Sequence, residues 1–299
     1  MKPRSFLAQL LLVIFCLVSV PVLAAAPTVL VTIKPLHALV SGLCAGIKPP
    51  LLLLNTTQSP HDYQLKPSER RMLEAADVII YASNNVESFM APLANSLGKQ
   101  QVIALDSLPG LSLLPARGSH SSDNAETDGH IWLAPRLAGN IVQQLALQLA
   151  QLDPEHRDQY FANRDRLLIK LDALHHGIEQ LLTPLQQQPF LQFHDALQYF
   201  EHEFALTSGQ VVTTGSEHAP GAKHIHDLQQ QVLAKNIRCF FYEPPLPPKL
   251  LQTLDVKHTA TVQALDIHGS QLETGEDMYF KLLNTIAQQI HSCLLVHKD

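Results

Sequence analysis

Short apolar runs alternate with amphipathic stretches along most of this chain. Residues 28–33, 51–54, 77–81 and 102–105 are strand-length runs rich in Val, Ile and Leu. The run at 51–54 is apolar throughout, as suits a strand buried on both faces of a parallel sheet. Between these runs the pattern predicts a helix over 36–45 and another opened by Lys66-Pro67-Ser68 and continued through Arg70, Met72 and Leu73. Such alternation predicts βαβ units around a parallel sheet. It returns later in the chain, with strands over 190–193, 210–213, 237–242 and 261–265 and helices over 197–204, 224–235 and 279–294.

The middle of the chain follows a different period. Leu167, Leu171, Leu174, Ile178, Leu181 and Leu185 recur at intervals of 4-3-4-3-4, one face of a single helix. Asp153 is placed to cap its start, Pro154 occupies the first helical position, and Pro184 and Pro189 bracket its end. About 30 residues of helix span about 45 Å, long enough to act as a strut. The expected fold class is therefore α/β: two (β/α) lobes with parallel-type sheets, joined by one long rigid helix. The boundaries expected are 27–150 for the N-terminal lobe, 151–186 for the linker helix and 187–299 for the C-terminal lobe. Residues 115–129 lack apolar periodicity and read as a surface loop.

The N-terminus changes the picture of where the chain works. A basic start, Met1-Lys2-Pro3-Arg4, precedes an apolar stretch over 6–20 and then Val22-Leu23-Ala24-Ala25-Ala26. This is the form of a cleaved secretory leader covering residues 1–26, so the mature chain is expected to be exported to the periplasm. The net charge is −6, and loss of Lys2 and Arg4 with the leader makes it more negative. There is no basic stripe for nucleic acid and no polybasic membrane patch. Cys44, Cys239 and Cys293 lie beyond the leader. An oxidising compartment allows one pair to be bridged. A Cys239–Cys293 bridge would pin the last helix to a strand and leave Cys44 free and buried. Three reduced core cysteines are the alternative, because spacing does not fix connectivity.

Candidate chemistry lies in three separated histidines, each at an end of an apolar run: Ser59-Pro60-His61-Asp62-Tyr63, Asp128-Gly129-His130-Ile131-Trp132 and Phe193-His194-Asp195-Ala196. The intervals are 69 and 64 residues, and a further 72 lead to Asp266. In open α/β sheets, ligands bind beyond the carboxyl ends of strands. His194 and Asp266 directly follow such ends, and His61 lies in the loop after 51–54. Three imidazoles and a carboxylate converging in an inter-lobe cleft would make a metal site. Taken singly, each histidine reads more readily as a core or surface residue than as a ligand. His120, His156, His175, His176, His202, His258, His291 and His297 read as solvated. His218, His224 and His226 read as a surface loop and helix start, with an auxiliary metal contact as the alternative. His268 falls nearer the expected cleft.

In combination and order, these segments resemble the zinc-binding (ZnuA-type) branch of the cluster A-I solute-binding proteins of metal-uptake ABC transporters. The resemblance rests on Thr32-Ile33-Lys34-Pro35-Leu36, on residues 59–68, on His130-Ile131-Trp132-Leu133-Ala134-Pro135, on Phe193-His194-Asp195-Ala196, on Pro220-Gly221, on Tyr242-Glu243-Pro244 and on Leu265-Asp266. It implies Zn(II) bound by His61, His130 and His194, with Asp266 or water in the remaining position. It implies a terminal Cys239–Cys293 disulfide, and delivery of the metal to a membrane permease driven by an ATPase. Histidine at position 194, where manganese-type relatives place a glutamate, favours zinc. Asp195, Tyr63 and Glu243 are the candidates for hydrogen-bonding the imidazoles into one tautomer. Two positions depart from the family pattern. Pro60 stands where some members carry an acidic ligand, and the loop over 115–129 holds one histidine and three acids where the family's is often long and rich in both.

Other functions are less well served by these residues. Binding of manganese or another divalent metal, and zinc buffering or adhesion on the same fold, would use the same positions. A secreted zinc hydrolase would need a general base near the metal. The chain has no His-Glu-x-x-His and no Gly-x-Ser-x-Gly, and Glu243 is its only strand-end acid suited to that role. A non-enzymatic, monomeric binding protein is expected.

Overall fold

The computed structural model describes residues 25–56, 58–94, 96–98, 100–117, 126–213, 221–244 and 249–298. Residues 1–24 of the leader, His120, His218 and Pro220 lie outside the described residues.

The first lobe is a four-stranded parallel sheet built from β1 (Val29–Val31), β2 (Leu51–Leu52), β3 (Val78–Tyr81) and β4 (Gln101–Ala104), in the order β2-β1-β3-β4. Its helices are α1 (Lys34–Leu43), α2 (Pro67–Ala75) and α3 (Met90–Ala94). The second lobe repeats the plan with β5 (Leu191–His194), β6 (Gln210–Thr213), β7 (Cys239–Tyr242) and β8 (Thr261–Ala264), in the order β6-β5-β7-β8. Its helices are α6 (Gln198–Glu203), α7 (Ala222–Ala234), α8 (Lys249–Leu254) and α9 (Asp277–Val296). Between the sheets run α4 (Pro135–Leu152) and α5 (Arg157–Leu182).

The linker helix α5 is 26 residues long, about 39 Å at 1.5 Å per residue. Leu167, Leu171, Leu174 and Ile178 are buried along the expected face, each burial worth about 2 kcal/mol relative to exposure. Its start differs from the expectation. A separate 3-10 turn, Pro154–His156, precedes it, and Asp153 makes no side-chain cap. The Asp153 carboxylate instead accepts from His156 Nδ1 at 2.8 Å and from the Tyr160 hydroxyl at 3.2 Å. His175, expected in solvent, is fully buried on α5, where Nδ1–H donates to Glu203 at 2.7 Å and the ring stacks on Phe204.

The lobes share a core. One apolar cluster runs from β1, α1 and β3 through α4 and α5 to Phe190, Phe241 and the buried face of α9. A smaller cluster fills the outer side of the second sheet under α7 and α8. Because α9 packs on both α1 and α5, the C-terminal helix braces the first lobe as well as its own. Cys239 of β7 is bonded to Cys293 of α9, and Cys44 is free and buried, its thiol pushed up to about 12 by burial and then by Asp153.

Candidate metal centre

The carboxyl ends of both sheets face one cleft, and the loop after β3 organises the first-lobe side of it. The buried Glu87 carboxylate accepts from the Thr32 hydroxyl and from the backbone N–H groups of Ala82 and Ser83, which fixes the turn. Asn85 in that turn offers its carbonyl to His61 Nδ1–H at 3.0 Å and donates its side-chain amide to the Thr127 carbonyl at 2.8 Å. Ser88 donates to the His61 carbonyl at 2.9 Å. Gly129 packs so closely on this turn that a Cβ there would stand 2.2 Å from Ser83 Oγ and 2.7 Å from Val86 Cγ2. That contact sets the approach of Asp128-Gly129-His130. From the second lobe come His194, the last residue of β5, and Glu243, directly after the neighbouring β7.

His61, His130 and His194 converge, their nearest ligand atoms all within 4.8 Å of one another. The ring centroids stand 4.9, 5.0 and 5.3 Å apart, an almost equilateral triangle. Hydrogen bonds on the far side of each ring fix its tautomer. His61 Nδ1 faces a carbonyl, which can only accept, so that nitrogen carries the proton. His130 Nδ1 donates to Asp128 Oδ1 at 2.7 Å, and His194 Nδ1 donates to Glu243 Oε1 at 3.0 Å. With the protons on Nδ1, the Nε2 lone pairs are left for the centre. His61 Nε2 and His130 Nε2 are 3.2 Å apart. Two lone pairs at that distance repel unless a cation lies between them, and tetrahedral Zn–N bonds of about 2.05 Å place nitrogens about 3.3 Å apart.

The electrostatics match this arrangement. Burial, then the neighbouring rings of His130, His194 and His268, holds the His61 pKa well below its ordinary value, so His61 stays a neutral donor. Burial also disfavours charge on His194, but Glu243 outweighs it and the pKa is raised. Glu243 is pushed up by its own burial and pulled down harder by His194, to about 2, so it is a carboxylate throughout the physiological range. His268 borders the triad with its ring tilted 37° against Trp132, and burial pushes it down to about 4.

The remaining sequence candidates have other partners. Asp266 closes its own turn: Oδ1 accepts from His268 N–H at 3.1 Å, and Oδ2 accepts from Ser270 N–H at 2.7 Å and its hydroxyl at 2.8 Å. Tyr63 donates to Glu69 at 2.7 Å, and Asp195 pairs with Arg117 at 2.8 Å. His224 Nε2 donates to the Val212 carbonyl at 2.9 Å. Sequence reasoning missed Asp128, Asn85 and Glu87. The Asp-x-His spacing was a signal for Asp128, whose Oδ1 accepts from both the backbone N–H and the ring of His130. Asn85 acts through its backbone carbonyl, which side-chain identity does not reveal.

The family profile described as "ZnuA: Zinc-uptake complex component A periplasmic" matches residues 29–293. The chain is 32% identical over 304 residues to the high-affinity zinc uptake system protein ZnuA of Brucella abortus, covering 89% of this chain and 91% of that one. It is 28% identical to the protein of the same name from Yersinia pestis, covering 97% and 98%. The fold is similar to a crystal structure of ZnuA, with a TM-score of 0.77, 24% identity and coverage of 90% of this chain and 99% of that one. On the match across nearly the whole described chain, this protein belongs to the ZnuA family of periplasmic zinc-uptake components.

Proposed function

We propose that the mature chain is exported to the periplasm by its leader and captures Zn(II) as a monomer. It then delivers the ion to the permease of an ABC transporter driven by its ATPase. The observation that carries this reading is the orientation of His61, His130 and His194, each with Nδ1–H committed outward and Nε2 directed to a common point. Three neutral imidazoles suit zinc, whereas manganese favours oxygen-rich shells. Water takes the fourth position, because the Asp266 oxygens already hold three hydrogen bonds in their own turn. Glu243 is engaged by His194, which supports an orienting role rather than that of a hydrolytic base.

Native mass spectrometry after metal stripping and zinc titration tests this. One tightly held zinc per chain is expected, lost or weakened in each of His61→Ala, His130→Ala and His194→Ala. Unaltered stoichiometry and affinity in all three variants would overturn the assignment.

A further inference from the structure

Arg117 joins two ligand-bearing segments across the cleft. It stands in an antiparallel stem where Pro115 pairs with Thr127 and Ala116 N–H donates to the Glu126 carbonyl at 2.7 Å. The returning side of that stem runs straight into Asp128 and His130. From the first lobe the Arg117 guanidinium reaches the second. Nη1 donates to Asp195 Oδ1 at 2.8 Å, and Nη2 donates to Glu201 Oε2. Asp195 is the residue after His194. Glu201 lies on α6, where Oε1 accepts from Gln192 Nε2 at 3.0 Å and from Gly209 N–H at 3.1 Å. The two carboxylate side chains are only 5% and 3% exposed.

One planar cation therefore bridges two buried acids, a task suited to a guanidinium fork and poorly to a single ammonium. Neutral contacts hold the same stem to α6. The Tyr199 hydroxyl donates to the Asp128 carbonyl at 2.9 Å, and Gln198 Nε2 donates to the Pro115 carbonyl at 3.1 Å. Those bonds join neutral groups, whereas separating Arg117 leaves two buried carboxylates without their cation.

We propose that Arg117 is a positioning residue that latches the His130 segment to the His194 segment and sets how long the bound metal is retained. This rests on the triad being the zinc site. Opening the cleft around the metal requires the ion pairs to part, so the latch acts on dissociation more than on association.

The test loads the mature protein with zinc and follows transfer to an excess of chromophoric chelator by stopped flow. Arg117→Gln is expected to release zinc at least about tenfold faster, with a near-normal association rate and one zinc still bound. Arg117→Lys is expected to recover only part of the loss. Because Arg117→Gln leaves two buried charges, the neutral combination Arg117→Gln, Asp195→Asn, Glu201→Gln serves as a second variant, and it too should release quickly. Dissociation at the wild-type rate in either folded variant would overturn the latch alone. Failure of the wild-type protein to bind zinc tightly would overturn both the latch and the site.

Discussion

Replacing Glu243 by Gln separates two effects that one carboxylate has on His194. Glu243 Oε1 lies 3.0 Å from His194 Nδ1. Burial pushes its carboxyl up, yet His194, with smaller help from His268 and His130, pulls it from 4.5 to about 2. At roughly 1.4 kcal/mol per pH unit, that drop represents about 3 kcal/mol of net stabilisation of the carboxylate. The attraction strengthens His194 as a ligand when metal is present and favours its protonation when metal is absent. Gln keeps an acceptor for Nδ1–H but removes the charge. At high pH, where proton competition at His194 is lost, Glu243→Gln is predicted to weaken zinc binding by about 10–100-fold, or about 1.4–2.7 kcal/mol. As pH falls, the wild type must expel a proton from a His194 whose pKa is raised, and the variant has much less proton competition there. The gap should therefore narrow as pH falls. Competition against a chelator of known proton affinity, stepped from about pH 8 to about pH 5.5, measures both effects. Affinity curves for the two proteins that run parallel over this range would refute the reasoning.

Gly129→Ala forces a methyl to within 2.2 Å of Ser83 Oγ and 2.7 Å of Val86 Cγ2, so thermal denaturation should show a loss of about 1–3 kcal/mol, accompanied by weaker zinc binding. Glu87 is held up to about 7 by burial, against the hydrogen bonds that favour its charge. Its pKa is raised on folding, so its contribution is greatest below about pH 4.5 and falls by up to about 3 kcal/mol as pH rises through 7. Denaturant titrations of the metal-free protein should show that slope, and it should flatten in Glu87→Gln. Replacing both Cys239 and Cys293 by Ser removes a bridge between residues 54 apart and should lower stability by about 2–5 kcal/mol in urea titrations. Zinc affinity should change little. Buried Cys44, with its thiol near 12, should resist alkylation until the protein is unfolded.

Much of this architecture is legible from local pattern. Strand-length Val/Ile runs between amphipathic stretches give the parallel sheets, because strands buried on both faces read as short continuous apolar runs too brief for helices. The face through Leu167 to Ile178 gives α5 directly. α4, over Pro135–Leu152, is absent from the expected elements, although Leu137, Ile141, Leu145 and Leu149 recur at helical spacing there and are buried. Asp153 illustrates a competing partner: a residue suited to a helix cap instead binds the His156 ring and the Tyr160 hydroxyl. His175 shows the same limit, since Glu203 and Phe204, which bury it, come from another helix. In the site, the three histidines could be picked out as residues. Of the groups that orient two of them, Asp128 is signalled by its Asp-x-His spacing, whereas Asn85, acting through its backbone carbonyl, becomes evident only when backbone direction is known.

In the proposed site His61, His130 and His194 hold one zinc through their Nε2 atoms. X-ray absorption at the zinc edge, on wild-type protein carrying one equivalent of the metal, tests it most directly. The expected result is about three nitrogen ligands near 2.0 Å with the outer-shell pattern of imidazole, plus one light-atom ligand. Each single His→Ala variant should show about one imidazole fewer. A sulfur ligand, a six-oxygen environment, or an imidazole count unchanged by all three substitutions would contradict it.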